Sequence, residues 1–243
     1  MLRFKHSGKL GDIIWSLPFV RSLGGGILFV AIDDHGRNLD EHGKPAPGLT
    51  MNDFASIQPF LLQQSYLIAV EKFSGEAVDY DLDQFRTNRG HLTFNLVDNY
   101  FYAFGQTPPD RIAYDPWLLT DAASPTQRKI IISRTERYLI NTPLHNQFYD
   151  RLISRGLSAQ GIFIGLPAEH AAFQSEFAIE MPLLPPSDIA TIAAAVRDCD
   201  LWVGNENMIG AIAEGFKKTC VREIRKDREE LNCVFDRANL FYI

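Results

Sequence analysis

The stretch LRFKHSGKLGDIIWSLPFVRSLGGGILFVAI, residues 2–32, decides the fold class. Leu2–Lys5 is short, partly alternating and bounded by a Ser-Gly pair, so it predicts a first strand. Ile13–Leu23 carries apolar residues on much of its circumference and predicts a mostly buried helix, kinked or restarted at Pro18. A triple glycine ends the helix, and Ile27–Ile32 is typical of a strand covered on both faces. Strand, glycine loop, helix and strand together form a βαβ unit.

The patterns that follow this unit are weaker. Residues 33–50 form a long polar loop rich in Gly and Pro, which is typical of a lid, a binding element or disorder. Helices are predicted at Met51–Gln64 and Leu92–Phe104, and a strand at Tyr66–Val70. The segment VDYDLDQFR, residues 78–86, alternates acidic with apolar residues and ends in a basic one. After Gly105, the stretch QTPPDRIAYDPW predicts a linker.

The second half of the chain repeats the strand–helix alternation more plainly. The predicted strands are Lys129–Ser133, Gly161–Gly165, Leu201–Gly204 and a last one at Cys220–Ile224. The predicted helices are Asn146–Arg155, Ala168–Phe177, Ser187–Arg197 and Met208–Phe216. Such alternation predicts parallel sheets with helices on both faces. We therefore expect an α/β protein with two Rossmann-like domains, residues 1–115 and 116–243, with the boundary inside 106–128.

The composition limits the class of protein. The chain has 243 residues, of which 46% are hydrophobic, so it can bury a real core. Its formal net charge of -6 argues against general binding of nucleic acid, although a local basic pocket remains compatible with it. Cys199, Cys220 and Cys233 are odd in number and lack metal-ligand spacing, which favours buried reduced thiols. With no signal-peptide pattern and no membrane-length apolar run, we expect a cytoplasmic protein.

The first loop after a predicted strand is HSGKLGD, in which Asp12 stands at the start of a helix. Ligands of open α/β sheets bind beyond the carboxyl ends of the strands, where glycines let the backbone approach and helix N-termini offer N–H groups to anions. The loop matches neither the Walker pattern nor G-x-G-x-x-G. Asp12 therefore caps the helix, holds a substrate, or does both.

Three loops of the second half carry further candidates. In SRTERY, residues 133–138, Arg134 and Arg137 suit a diphosphate, and a solvated charged turn is the alternative. In GLPAEHAAF, residues 165–173, Glu169 suits two ribose hydroxyls but is also favoured by the helix dipole alone. The turn Asn205–Asn207 precedes a helix, and the backbone N–H groups at that helix start suit a phosphate. Helix capping alone is the alternative, because it favours the same types of residue in this turn.

Two longer segments resemble glycosyltransferase family nine, the bacterial lipopolysaccharide heptosyltransferases. LGDIIWSLPFVRSL, residues 10–23, resembles the N-terminal signature, in which a GD pair leads an apolar helix containing a proline. DIATIAAAVRDCDLWVGNENMIGAIAEG, residues 188–215, resembles the C-terminal signature, in which a helix and a strand lead into a D-[ST]-G turn and another helix. The phrases KHSGKLGDIIWSLP, SRTERY, FIGLPAEHAAF and LWVGNENMIGAIAEGFK are similar to compact uncharacterised relatives carried by bacteria and phages. Residues 33–105 carry none of the resemblance.

The resemblance implies a GT-B architecture, in which two Rossmann-like domains face a cleft, here with a reduced N-terminal domain. It implies a metal-independent, inverting transfer of a sugar from a nucleoside-diphosphate-sugar to a glycan or another hydroxyl acceptor, with no cofactor. Asp12 takes the place of the general base on the acceptor hydroxyl, Arg137 that of the diphosphate ligand and Glu169 that of the ribose ligand. Glu206 and Asn207 fall at the D-[ST] pair.

The resemblance also defines two sets of site residues. The expected donor-side residues are Ser133, Arg134, Arg137, Tyr138, Glu169, Asn205, Glu206 and Asn207. The expected acceptor-side loop consists of His6, Ser7, Gly8, Lys9 and Gly11, next to Asp12.

Two departures from the family pattern keep other functions open. Met208 replaces the glycine of the turn, and Ala211 stands at the downstream histidine position. Bulk at Met208 hinders close approach of a phosphate to the backbone, so the donor differs from ADP-heptose or donor binding is lost. The alternatives are a non-catalytic nucleotide- or glycan-binding relative and a phage-type DNA glycosyltransferase, against which the acidic balance counts. An unrelated Rossmann-type epimerase or reductase is a further alternative, against which the missing dinucleotide fingerprint and the missing Tyr-x-x-x-Lys pair both count.

Overall fold

The computed structural model of the chain describes residues 1–33, 47–87, 95–139, 142–185, 187–225 and 233–243. Thirteen residues of the long loop predicted at 33–50, namely 34–46, lie outside the described part of the chain. So do residues 92–94 of the helix predicted at Leu92–Phe104, which begins at Leu96 in the structure.

The first half of the chain builds a four-stranded parallel sheet. Its strands are β1 (Leu2–His6), β2 (Gly26–Val30), β3 (Leu67–Lys72) and β4 (Tyr80–Asp81), in the order β3-β2-β1-β4. Its helices are α1 (Leu10–Ser22), α2 (Met51–Leu61) and α3 (Leu96–Ala103), with 3-10 helices at Leu82–Arg86 and Asp110–Ala113. The predicted βαβ unit is thus confirmed. Strand β4 has only two residues, which are too few for a hydrophobic pattern to predict it.

Helix α1 is continuous through Pro18, which excludes the restart, one of the two predicted alternatives, and leaves the kink as a prediction. All residues from Ile13 to Val20 are buried, because α1 packs against α3 and against the helix Met208–Gly215 of the second half. An internal proline costs a helix roughly 3 kcal/mol. Burial of eight consecutive residues is a larger effect, since a single large apolar side chain contributes about 1.5–3 kcal/mol.

The second half builds a five-stranded parallel sheet in the order β6-β5-β7-β8-β9. The strands are β5 (Ile130–Ser133), β6 (Gly161–Phe163), β7 (Leu201–Gly204), β8 (Cys220–Arg222) and β9 (Leu240–Tyr242). The helices are α4 (Pro143–Ser154), α5 (Leu157–Gln160), α6 (Pro167–Phe177), α7 (Ile189–Asp198) and α8 (Met208–Gly215), with a 3-10 helix at Glu136–Tyr138. The prediction that the strand beginning at Cys220 is the last one is wrong, because β9 pairs with it in parallel. A three-residue strand at the end of the chain leaves too short a pattern to detect.

The larger of two hydrophobic cores contains residues of both sheets. Helix α1 packs on α8 and α2 on α7, and the ring of Trp15 stacks on that of Phe235 at 5.8 Å. The predicted linker joins this core as well. Trp117 and Leu118 are buried, and their N–H groups donate to the carbonyl of Gly215 at 3.0 and 3.3 Å. The smaller core lies within the second half, around Tyr149.

The prediction for the three cysteines is confirmed. Cys199, Cys220 and Cys233 are buried free thiols, and burial raises the pKa of Cys199 to about 12 and that of Cys220 to about 11. Thiols with such pKa values are inert at neutral pH. Among the helices of the described segments, none combines the length and the apolar character needed to cross a bilayer.

Candidate functional site

The N-terminus of α1 presents Asp12 beyond the carboxyl end of β1. Asp12 occupies the third helical position, and its Oδ2 accepts the backbone N–H of Lys9 at 3.2 Å. Asp12 therefore caps its helix, as one of the two interpretations of the sequence predicts. The Asp12 side chain remains 28% exposed, so capping does not remove it from solvent. The Lys9 ammonium binds the carbonyl of Pro47 across the loop.

A second contact to Asp12 comes from Arg86, at the end of the 3-10 helix that follows β4. The Nη2 of Arg86 donates to Asp12 Oδ2 at 2.9 Å, and its Nη1 donates to Asp83 Oδ1 at 2.7 Å. Within the described residues, both contacts of the Asp12 carboxylate are made by Oδ2. Neither of these two contacts involves Oδ1.

Asp83 anchors this arrangement from the interior. It is buried and accepts hydrogen bonds from Lys5 Nζ at 2.9 Å and from the backbone N–H of Ser7 at 3.1 Å, besides that of Arg86. Burial alone acts to raise the pKa of Asp83, but the charge that His6 acquires in acid, together with the hydrogen bonds from Lys5 and Ser7 and the charge of Arg86, holds it well below its usual value. Asp83 is therefore a carboxylate at neutral pH, and it balances the buried Lys5 ammonium.

His6 and Tyr100 support Asp12 from the side of its backbone. The N–H of Gly8 donates to His6 Nδ1 at 2.7 Å, which places the imidazole proton on Nε2, where it meets the Tyr100 hydroxyl at 2.8 Å. That hydroxyl donates to the carbonyl oxygen of Asp12 at 2.9 Å. Burial is the main cause that lowers the pKa of His6 to about 4, so the imidazole is neutral at pH 7.

Gly8 is required where these side chains converge. A Cβ at position 8 would lie 2.4 Å from His6 Cε1, 2.7 Å from Arg86 Nη2 and 2.8 Å from Asp12 Cβ. These distances are shorter than any real contact, so a side chain at position 8 would displace the groups around it. The sequence predicts that the glycines of this loop let the backbone approach a ligand, and in the structure Gly8 leaves room for the side chains of His6, Arg86 and Asp12.

Reasoning from sequence missed Arg86, Asp83 and Tyr100 as members of this site. The only indication in the sequence was the segment VDYDLDQFR, residues 78–86. In the structure this segment contains strand β4 and the 3-10 helix that ends at Arg86. Nothing in one sequence connects position 86 with position 12, because the contact depends on β4 pairing beside β1.

On the second half, the structure brings Ser133, Asn205 and Asn207 together at the ends of β5 and β7. Asn207 caps α8 through the N–H of Gly210 at 2.9 Å, and its Nδ2 donates to the carbonyl of Ser133 at 3.1 Å. Asn205 accepts the N–H of Thr135 at 2.9 Å and donates to the carbonyl of the same residue at 2.8 Å. These amides fix the two loops to each other, and the adjacent backbone forms the start of α8.

Glu206 lies in the same turn but faces inward. Its Oε1 accepts from Arg222 Nη1 at 2.9 Å and from the backbone N–H of Cys233 at 3.0 Å. The buried guanidinium of Arg222 lies between the rings of Trp15 and Trp202, 5.4 Å from each centroid. The Arg222 guanidinium thus joins the first helix of the chain to the second sheet, and Glu206 holds that guanidinium in place.

Arg134 is also directed into the interior. Its side chain is 3% exposed, pairs with Glu176 at 3.0 Å and Glu223 at 2.8 Å, and lies over the ring of Tyr149. Its neighbours Arg137 and Tyr138 lie in the 3-10 helix that follows β5. The Arg137 side chain is outside the described part of the structure.

Glu169 stands at the start of α6, where its Oε2 accepts the N–H of Leu166 at 2.8 Å. Its side chain is half-buried. In the part of the chain that the structure describes, no contact joins Glu169 to the group of Ser133, Asn205 and Asn207. Nor do the described residues include a group of three or more His, Cys, Asp or Glu side chains placed to hold a metal ion.

The N-termini of α1 and α8 meet at Gly11. A Cβ at this glycine would lie 3.6 Å from Met208 Cα and 3.7 Å from Met208 N. The residue after Gly11 is Asp12, and the residue before Met208 is Asn207. The structure therefore brings the loop that carries Asp12 directly against the turn of residues 205–207.

Comparison with solved structures shows which proteins share this fold. A family 9 glycosyltransferase from Veillonella parvula aligns with the whole chain and 85% of its own, with a TM-score of 0.52 and 12% identity. The E. coli ADP-heptose lipopolysaccharide heptosyltransferase II gives 0.51 at 13% identity, over the whole chain and 90% of its own. The iron-containing dodecameric glycosyltransferase TibC of enterotoxigenic E. coli gives 0.56 at 10% identity, and the chain covers 61% of it.

No family model and no curated protein matches the sequence. The structural matches nevertheless confirm the predicted resemblance at the level of fold. The chain has a mixed α/β architecture with two parallel sheets, and its structural neighbours include a family 9 glycosyltransferase and a heptosyltransferase whose chains it covers to 85% and 90%.

Proposed function

We propose that the protein is a glycosyltransferase that moves a sugar from a nucleoside-diphosphate-sugar to a hydroxyl of a glycan or similar acceptor. The observation that carries the proposal is the meeting of α1 and α8 at Gly11, because it sets Asp12 beside the turn that precedes α8. The glycosyltransferases that share the fold add support. In this proposal the two halves of the chain, residues 1–115 and 116–243, supply the acceptor and donor walls of one cleft.

Asp12 acts as the general base in this proposal. The acceptor hydroxyl gives its proton to Oδ1 of Asp12, while its oxygen forms the bond to the anomeric carbon. The bond between that carbon and the diphosphate oxygen breaks, and the nucleoside diphosphate leaves with the electron pair. Attack on the face opposite the leaving group inverts the anomeric configuration. A positioned base of this kind contributes about 10²–10⁴-fold to the rate.

The start of α8 receives the diphosphate in this proposal. The first N–H groups of a helix have no partner within it, and together with the helix dipole they favour an anion. Gly11 has no side chain, so no side chain at this position of α1 covers Met208 N. Arg137 adds a positive charge and Glu169 binds the ribose.

The remaining donor-side residues support the site in this proposal rather than contact the donor. Ser133, Asn205 and Asn207 hold the two loops together, and Arg134 and Glu206 anchor them to the interior. Tyr138 borders the loop that carries Arg137. With these roles the transfer needs no metal ion, so activity is expected to survive an excess of EDTA.

A non-catalytic relative that binds a nucleotide or a glycan is the second candidate function. The observation that favours it is the engagement of Arg134 and Glu206 with buried partners, together with Met208 in place of a glycine. These features remove two charged groups from the donor side and add bulk to the turn. The cleft would then retain binding without turnover.

One experiment separates the two candidates. Thermal melting is measured with ADP-, UDP-, GDP- and CDP-sugars, and each stabilising donor is incubated with an acceptor panel and analysed by mass spectrometry. Glycosyl transfer from a stabilising donor supports the transferase. Stabilisation without any product supports the binding protein, and a flat melting temperature across the panel contradicts the transferase and a nucleotide-binding relative.

A further inference from the structure

We propose that Arg86 is a positioning residue for Asp12, which fixes the carboxylate so that Oδ1 faces the acceptor hydroxyl. This inference rests on the proposed glycosyl transfer. It adds to the site a residue from a part of the chain that carries no family resemblance. The terminal nitrogens of Arg86 are divided between two carboxylates, Nη2 at 2.9 Å from Asp12 and Nη1 at 2.7 Å from Asp83.

The anchor of Arg86 makes it different from a mobile surface arginine. Its side chain is 20% exposed, whereas the Asp83 side chain beneath it is 6% exposed and is tied to β1 through Lys5 and Ser7. A planar guanidinium bound at both terminal nitrogens has little rotational freedom. The position of Asp12 Oδ2 is therefore set, through Arg86, by the buried carboxylate of Asp83 in the 3-10 helix Leu82–Arg86.

Two further contacts complete the constraint on Asp12. The backbone N–H of Lys9 meets the same oxygen, Oδ2, at 3.2 Å, and Tyr100 holds the Asp12 carbonyl at 2.9 Å. Side chain and backbone are thus fixed from different directions. Gly8 leaves the space in which Arg86 reaches Asp12, since a Cβ there would lie 2.7 Å from Arg86 Nη2.

A positioning role and a substrate-binding role for Arg86 predict different kinetics. If Arg86 orients Asp12, its loss lowers the fraction of bound acceptor that meets a correctly placed base, so kcat falls. If Arg86 binds an anionic substrate group directly, its loss weakens binding and KM rises. The two roles also differ in chemical rescue, because free guanidinium can refill the space between two carboxylates.

The test compares Arg86→Gln, Arg86→Lys and Arg86→Ala with the wild type, using the donor and acceptor found in the nucleotide-sugar screen. Arg197→Gln is the matched control, since Arg197 pairs with Asp198 on the surface. We expect Arg86→Gln to lower kcat about 10- to 100-fold with donor and acceptor KM changed less than about 2-fold. Arg86→Lys is expected to recover part of the loss, and millimolar guanidinium to raise kcat of Arg86→Ala but not of Asp12→Asn.

The outcomes distinguish this inference from the proposed function. A wild type that transfers no sugar overturns the proposed function and the inference with it. An active wild type with an inactive Asp12→Asn and a fully active Arg86→Gln overturns only the positioning role. An effect confined to KM assigns Arg86 to the substrate and likewise overturns it. If Arg86→Gln fails to fold, Arg86→Lys keeps the charge, and the same kinetic criteria decide.

Discussion

Arg86 Nη2 lies 2.9 Å from Asp12 Oδ2, although 74 residues separate the two along the chain. This contact joins the loop after β1 to the 3-10 helix after β4. It links a partly exposed, helix-capping aspartate to the buried, charged network around Asp83. The same aspartate is next in sequence to Gly11, where α1 meets α8, so the network lies beside the contact between the two halves of the chain.

The fit around Gly8 predicts a loss of stability in Gly8→Ala. The added methyl would lie 2.4 Å from His6 Cε1 and 2.7 Å from Arg86 Nη2. Forcing such contacts in a packed interior costs about 1–3 kcal/mol of unfolding free energy, measured by urea denaturation. Gly11→Ala is the matched control, because its methyl finds its nearest atom at 3.6 Å. Equal stabilities of the two variants would show that the space at Gly8 is not restricted.

A second prediction concerns the buried charge of Glu214. This fully buried carboxylate accepts from Lys217 Nζ at 2.7 Å and from Arg237 Nη2 at 2.9 Å, and Arg222 Nη2 lies 3.8 Å away. Glu214→Gln leaves these cations without their common counter-charge, so we expect a loss of about 3–5 kcal/mol in urea denaturation. Glu180→Gln, on the exposed surface, is the control and should change stability little. Similar denaturation curves for the two variants would contradict the role of Glu214.

The pH dependence of stability has two opposing sources. Burial lowers the pKa of His6 to about 4 in the folded protein, so between pH 6.5 and 4 the unfolded chain binds the proton first and acidification favours unfolding. Burial raises the pKa of Asp98 to about 6, so in the same range the folded carboxyl binds its proton first and acidification favours folding. The two contributions partly cancel in the wild type.

Asp98→Asn removes the contribution of Asp98 to the pH dependence of stability and leaves that of His6. The unfolding free energy of this variant is expected to fall by about 3 kcal/mol between pH 6.5 and 4, more steeply than that of the wild type. Urea denaturation at a series of pH values measures the difference. A parallel pH dependence of the two proteins would contradict the assignment. NMR titration of the His6 ring offers an independent check, since the imidazole should stay neutral down to about pH 4.

The sequence predicts the parallel α/β organisation because hydrophobic patterning acts locally. The runs around Ile13–Val20, Ile130–Ser133 and Leu201–Gly204 are long or apolar enough to mark their elements within a few residues. The strands β4 and β9 have two and three residues, and they form because a neighbouring strand offers an edge. Such strands depend on tertiary pairing and leave little trace in a single sequence.

Only part of the candidate site could be predicted from the sequence. Asp12, Asn205 and Asn207 follow strands and begin helices, so their place at the sheet edges could be inferred. The directions in which the neighbouring side chains point could not be inferred. Arg134 and Glu206 stand in the same loops, but buried partners brought in by tertiary packing turn them toward the interior. Arg86 is the opposite case, since long-range pairing brings it to the site.

The most direct test of the central claim compares Asp12→Asn with Asp53→Asn. Both aspartates occupy the third position of a helix and accept the N–H of the cap residue, Lys9 at 3.2 Å and Thr50 at 2.8 Å. Single-turnover rates of sugar transfer are measured for the two folded variants with the donor identified by the nucleotide-sugar screen. If Asp12 is the base, Asp12→Asn loses at least about 10²-fold in rate, whereas Asp53→Asn keeps the wild-type rate. A folded Asp12→Asn that transfers sugar at the wild-type rate would contradict the account.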